Sequence, residues 1–322
     1  MAIHCEPVNA PHPPTLDPRP KRRLDRGMKV TIFALFASLM MVGCGESPKL
    51  EAEYYDNGQK KWEGNLKDGK QDGLWTFWHE DGWKEQEANF EDGKQDGLST
   101  FWYENGQMEE ESNFKDGKED GLYTTWYENG QMEKQGNVTE GKQDGLWTFW
   151  HEDGWKESEE NWKDGKQDGL STFWHEDGWK ESEENWKDGK EEGLYTTWYE
   201  NGQKKSEGNW KDGKEEGLYT TWYENGQKHM EENYKDGKED GLSTRWYENG
   251  QKNYEFTYKD GKYISATSWK SNGEQCPDTN LVNGNGIVCF YHENGQKRIE
   301  NTFKDGKPIS YKEWDKDGNQ TE

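Results

Sequence analysis

Three histidines occupy one recurring position: His79, His151 and His175 each precede Glu-Asp-Gly-Trp, and the last two stand 24 residues apart. Imidazoles in register suggest a metal ladder. At two strands per 24 residues, however, neighbouring rings lie roughly 10 Å apart, whereas two zinc ligands must each lie about 2.1 Å from one ion. Tyr103 and Tyr199 fill the same position elsewhere, so the histidines read as one planar ring in place of another, and no metal is expected. The acid pairs of DGKQDG suggest calcium only as a secondary reading. Calcium needs six to eight converging oxygens, and the interleaved lysines mark solvated, self-neutralising turns. Carboxylate pairs for glycoside hydrolysis occur everywhere, and nothing distinguishes one pair from the rest. GxSxG, HExxH, a Walker loop and GxGxxG with its acidic partner are all missing. No catalytic residue and no cofactor is expected, and the chain reads as a non-enzyme.

The cysteines carry more chemistry. Met28 opens a short basic n-region and an apolar run from Val30 to Val42, which fits a signal-peptide core and falls short of a bilayer span. The run ends Met41-Val42-Gly43-Cys44, which resembles a bacterial lipobox; the resemblance implies that Cys44 is lipidated and becomes the mature N-terminus. Gly45 stands where a retention signal would place Asp, which implies the outer membrane in a Gram-negative cell. The alternative is a cleaved, soluble, secreted protein. Residues 1–27 are proline-rich and basic and read as a disordered leader or an over-extended start, with Met28 the true initiator. With Cys5 in that leader and Cys44 as the lipid site, Cys276 and Cys289 remain as a pair. Export to an oxidising compartment predicts a disulfide between them.

These side chains sit on a strict framework. Glycines from Gly58 to Gly250 recur every 24 residues within Asn-Gly or Asp-Gly pairs, and a second series from Gly69 to Gly261 keeps the same period inside KDGK. A third runs from Gly73 to Gly241, each followed by Leu. A fixed period of this kind marks one supersecondary unit stacked on its copies. Asn-Gly and Asp-Gly favour two-residue hairpin turns, in which both central residues need positive φ. The segments between them are of strand length and are interrupted too often for helices. The predicted fold is therefore all-β: an elongated single antiparallel sheet of stacked hairpins, roughly 10 Å per repeat.

Along LWTFWH, Leu74, Thr76 and Trp78 share one face, while Trp75, Phe77 and His79 share the other. The first set stays Leu, Thr, Trp in every unit and reads as the packed face, a ladder of rings with leucine as filler. The second set drifts and reads as exposed. On that reading Trp75, Tyr123 and Trp147, with Trp83, Trp155 and Trp179 after turn glycines, are the candidate contact aromatics for a protein or a cell-wall sugar. Packing on the neighbouring hairpin is the competing reading.

The pattern GLWTFWHEDGW with EGNLKDGKQDG resembles the variant MORN repeat (membrane occupation and recognition nexus) from Glu53 to about Gly318. That resemblance implies an elongated sheet of hairpins with a scaffold or contact role and no catalysis. Some bacterial relatives carry an antitoxin label, which sits awkwardly with export.

Composition agrees. Only 28% of the 322 residues are AVILMFWYC, yet 19 Trp, 16 Tyr and 11 Phe are present, so rings must supply the core. A net charge of −25 excludes a sequence-independent grip on nucleic-acid phosphates. It also leaves only acyl chains to hold the protein at a membrane. The expected organisation is leader 1–27, lipoprotein signal peptide 28–43, linker 44–52, repeat array 53–262 and divergent capping repeats 263–322. The expected function is a membrane-anchored, non-catalytic ribbon that binds or scaffolds another macromolecule, most simply a protein, in the cell envelope. The alternatives are an antitoxin-like or immunity-like protein and an envelope carbohydrate-binding protein.

Overall fold

The structure, a computed structural model, describes residues 47–321. The leader, the signal segment and Cys44 lie outside the described residues. Within them no helix occurs, and none is long and apolar enough to cross a membrane. A 22-stranded antiparallel sheet runs from Lys49–Tyr54 to Lys262–Ser268, each strand pairing with its neighbours in the chain. Three of those strands are two-residue pieces split by a bulge from the strand that follows, as at Lys190–Glu191. Pairing thus begins at Lys49, inside the expected linker, and ends at Ser268, beyond the expected end of the array. A three-stranded sheet follows, Gly286–Tyr291, Lys297–Lys304 and Lys307–Glu313. An irregular segment joins the two sheets. Cys276 N donates to Ser268 O at 2.8 Å and Gly284 N to Ile264 O at 2.8 Å, while Asn280 N donates to Ile287 O at 2.9 Å. It occupies the place of a return strand.

One unit shows how the sequence builds the hairpins. Met108–Lys115 turns at Asp116-Gly117 into Lys118–Trp126, and the loop Tyr127 to Gln131 leads into the next return strand. Asp116 and Gly117 have φ of 51° and 83°, so KDGK makes the expected two-residue turn. The YENGQ loop differs from expectation. Gly130 has φ of 82°, but Asn129 is not among the residues with positive φ; Gly130 N donates to Tyr127 O at 2.8 Å and Tyr127 N to Gln131 O at 2.9 Å. This is a three-residue loop closed by a left-handed glycine. Asn129 is kept out of the left-handed region and bridges instead: its Oδ1 accepts from Gln131 N at 2.8 Å, and its Nδ2 donates to Glu152 O in the next hairpin at 2.6 Å.

The third glycine series forms bulges. Ser112 faces Tyr123 and Phe114 faces Glu119, so Asn113 is opposed by the three residues Asp120, Gly121 and Leu122. Asn113 Nδ2 closes the gap on Leu122 O at 3.0 Å. Such bulges bend the strand and increase its twist.

The faces are the reverse of the expectation at the leucine positions. A buried cross-strand row runs through Gly64, Trp75, Ala88, Ser99 and Ser112 to Tyr123, Gly136 and Trp147. In this row a large ring lies against small partners. Trp75 covers Gly64, where an added Cβ would stand 2.2 Å from the ring, and Trp147 covers Gly136 at the same distance. The drifting position is therefore core, and drift at one strand is matched by size at its neighbour. Leucine is not filler; Leu74, Leu98, Leu122 and Leu146 are exposed. An ordinary apolar cluster exists only at the C-terminal end of the described residues, where Phe256, Tyr258, Leu281, Val288 and Phe303 meet.

Candidate interaction face

Each leucine after a bulge glycine points away from the ring row. Its backbone has a structural task, since Asn89 Nδ2 donates to Leu98 O at 2.9 Å and Asn161 Nδ2 to Leu170 O at 2.7 Å. Its side chain is among the exposed large apolar groups, with exposure from 39% at Leu98 to 50% at Leu74. Leu170, Leu194, Leu218 and Leu242 continue the series. Leucine and asparagine face each other across the strands (Leu98 with Asn113, Leu122 with Asn137), so the row alternates apolar and amide groups along the sheet.

Beside it runs a row of threonine and glutamate, such as Thr124 facing Glu111. The threonines are buried beneath charged neighbours, Thr124 to 3%. Lysines neutralise the glutamates: Lys84 Nζ lies 2.7 Å from Glu87 and Lys180 Nζ 2.7 Å from Glu183, with Lys204 on Glu207 and Lys228 on Glu231 in the same way. The same ammonium groups cover the tryptophan of the next unit, Lys84 over Trp102 and Lys180 over Trp198, each 4.7 Å from the ring centroid. Such contacts are worth about 0.5–1 kcal/mol at exposed sites. Most of the glutamates in this row thus carry a lysine partner; Met108 stands in the lysine's place before Glu111.

The six candidate aromatics fare differently. Trp75 and Trp147 are buried to 5% and 3%, and each indole Nε1 donates to a backbone carbonyl, Asn65 O and Asn137 O, at 3.0 Å. They are core residues, not contact residues. Half-buried Tyr123 belongs with them, 5.7 Å from the Trp147 ring and donating to Glu110 at 2.8 Å. Burial and that carboxylate push its hydroxyl well above the usual tyrosine range. Trp83 and Trp179 are half-buried and stack on His79 and His175 at 5.0 and 4.9 Å. Trp155 alone of the six is exposed.

Cys276 and Cys289 are buried free thiols, where a disulfide was expected. The Cys276 sulfur is engaged elsewhere, 2.9 Å from Tyr291 Oη. Burial raises the Cys276 thiol, but hydrogen bonds led by Tyr291 outweigh it and leave it below the usual range; burial pushes Cys289 up to about 11. Their sulfurs and an Asp278 oxygen all lie within 4.8 Å of one another, a three-donor set able to hold a soft divalent ion.

Burial also raises the carboxyls of Glu119, Glu215 and Glu239, which face Phe114, Trp210 and Tyr234 across the strands. Other units place glutamine there, as at Gln71 and Gln143.

The family described as MORN repeat variant matches at residues 71–92, 95–116, 119–139, 143–164, 167–188, 191–212, 215–236, 239–260 and 285–305. No curated protein matches the sequence. Among solved structures, the crystal structure of TcdB2-TccC3-TEV is similar over 84% of this chain and 16% of that one, at 10% identity and a TM-score of 0.17. The Photorhabdus luminescens Tc holotoxin pore is similar over 84% and 15%, at 12% identity and a TM-score of 0.18. This chain spans less than a fifth of those proteins, and similarity at these scores carries no argument.

Proposed function

This chain belongs to the MORN repeat variant family, a repeat protein with a binding or scaffolding role, and on that premise we propose a non-catalytic ribbon that docks a partner protein along its leucine row. The observation that carries the reading is the exposure of one leucine per unit on a face where most glutamates are paired with lysine. Apolar surface gathered along one line marks interaction sites, and these leucines recur along a single row of the sheet. The neighbouring lysine–glutamate pairs form the polar rim that protein interfaces use. The ribbon is held in the cell envelope, at the outer membrane, by lipid on Cys44.

A photo-cross-linking residue at Leu146 or Leu170, compared with one at exposed Asp164 in a KDGK turn, tests the docking face in the native host. Discrete adducts from the leucine positions, lacking at Asp164, are expected. Equal background at all three positions sinks the proposal. For the anchor, labelled fatty acid should enter the wild-type protein and be lost in Cys44→Ser; label persisting in that variant removes the lipoprotein reading.

A further inference from the structure

Beyond Arg26 the sequence has two arginines, Arg245 and Arg298, and both line one cleft of about 960 Å³ where the end of the long sheet meets the C-terminal strands. In a chain of net charge −25 this is an unusual place. Lys316 and His292 also line the cleft, and Glu293 is its one acidic lining residue. Ion pairs among the described residues use lysine or histidine, and neither guanidinium has a carboxylate partner there.

Arg245 is held in position. Its Nε donates to His229 Nε2 at 3.0 Å, and His229 Nδ1 lies 3.1 Å from Thr221 Oγ1. Burial, then the charge of Arg245, lowers the His229 pKa, so the ring is neutral at pH 7 and Nε2 can accept. Tyr254 stands opposite Arg245 across the strands. In the other units that place holds Phe or Thr, such as Phe101 and Thr197, so arginine is specific to this end of the array. Arg245 also hydrogen-bonds the Tyr254 side chain, and a guanidinium held in this way still has N–H groups left for an oxyanion.

The remaining lining suits a ring with hydroxyls. Tyr247, Tyr254, Phe290 and Tyr291 line it with aromatic rings, and Asn253 adds an amide that can donate and accept, whereas the Asn294 amide is spent on Lys316 O at 2.7 Å and Gln296 N at 3.0 Å. The volume lies within the roughly 300–1,000 Å³ of small-molecule sites.

We propose that this cleft binds an acidic sugar, a pyranose ring carrying a carboxylate or a phosphate, with Arg245, Arg298 and Lys316 on the oxyanion and the aromatic residues against the ring. The site is separate from the leucine row, so its failure leaves the docking proposal untouched.

Calorimetric titration of the full-length protein with glucuronate, glucose 6-phosphate and glucose tests it. These probes share a ring and differ in carboxylate, phosphate or neither. At least one acidic probe should bind tenfold or more tightly than glucose, and the better of the two identifies the oxyanion. Arg298 is exposed, so Arg298→Gln should fold as wild type and weaken that binding at least tenfold; Lys316→Gln should weaken it to a lesser degree. Glucose binding as tightly as the acids, no binding of either acid, or undiminished binding by Arg298→Gln overturns the proposal.

Discussion

The pairing of large rings with glycine makes Gly136→Ala a severe test of the buried row. The added methyl would stand 2.2 Å from Cδ2 of Trp147, far inside contact distance. The indole cannot step aside cheaply, because it is 3% exposed and its Nε1 is bonded to Asn137 O at 3.0 Å. Overpacking of this kind costs about 1–3 kcal/mol. Full expulsion of a tryptophan that buries roughly 150–250 Å² would cost about 4–6 kcal/mol. A net loss of about 2–4 kcal/mol is expected, after allowing up to about 1 kcal/mol gained from restricting the unfolded chain. Trp147→Ser, the residue found at the equivalent Ser171, should cost about 3–5 kcal/mol by itself. The double variant should match Trp147→Ser to within about 0.5 kcal/mol, because the methyl then meets no ring; the two changes are coupled rather than additive. Urea unfolding followed by near-ultraviolet circular dichroism measures all four proteins. A loss below about 0.5 kcal/mol for Gly136→Ala, or additive costs, would refute the ring-over-glycine packing.

Turn chemistry predicts opposite tolerances at the two loops. At Asp116, with φ of 51°, valine should cost about 1–2 kcal/mol and glycine only a few tenths; equal midpoints for the two would contradict the two-residue turn. Asn129→Ala should lose about 1–2 kcal/mol through its bonds to Gln131 N and Glu152 O. The raised carboxyls of Glu119, Glu215 and Glu239 bind protons more readily folded than unfolded, so their contribution is full below pH 4.5 and lost as pH rises through the higher folded values. Replacing all three with Gln should therefore stabilise the protein at pH 7, by up to about 0.5 kcal/mol per site, with the gain shrinking toward pH 4.5; thermal midpoints across that range that move in parallel would count against it. Removing residues 169–192 takes out one whole 24-residue period and should leave a folded, shorter sheet, whereas a 12-residue deletion reverses the direction of everything after it. Equal loss of strand signal in the two deletions would contradict the stack.

The period, the strands and the antiparallel order were legible because glycine pairs at constant spacing leave few other folds open. The turn types were only half legible. Asn-Gly serves both a two-residue turn and a loop ending on a left-handed glycine, and only the backbone of Asn129 distinguishes them. Constancy was a guide to burial at threonine but not at leucine, since Thr124 is constant and buried, Leu74 is constant and exposed, and Trp75 varies and is buried. The better signal was present: Gly64 precedes Trp75, Gly136 precedes Trp147 and Gly208 precedes Tyr219 at one fixed separation, as a ring needs a vacancy across the strand. The cleft at the C-terminal end was not legible. Arg245 and Arg298 lie in different units, and their approach depends on the irregular segment around Cys276, whose path follows no period.

The docking claim is tested most directly by replacing Leu122, Leu146 and Leu170 together with asparagine and measuring both partner recovery and thermal midpoint. These side chains are 44%, 49% and 42% exposed, so the midpoint should stay within a few degrees of wild type. Cross-linked partner, captured through a probe at Leu194, should fall at least tenfold. A large drop in midpoint would show the leucines to be core, and undiminished capture would show the partner to bind elsewhere; either result contradicts the leucine row as the docking face.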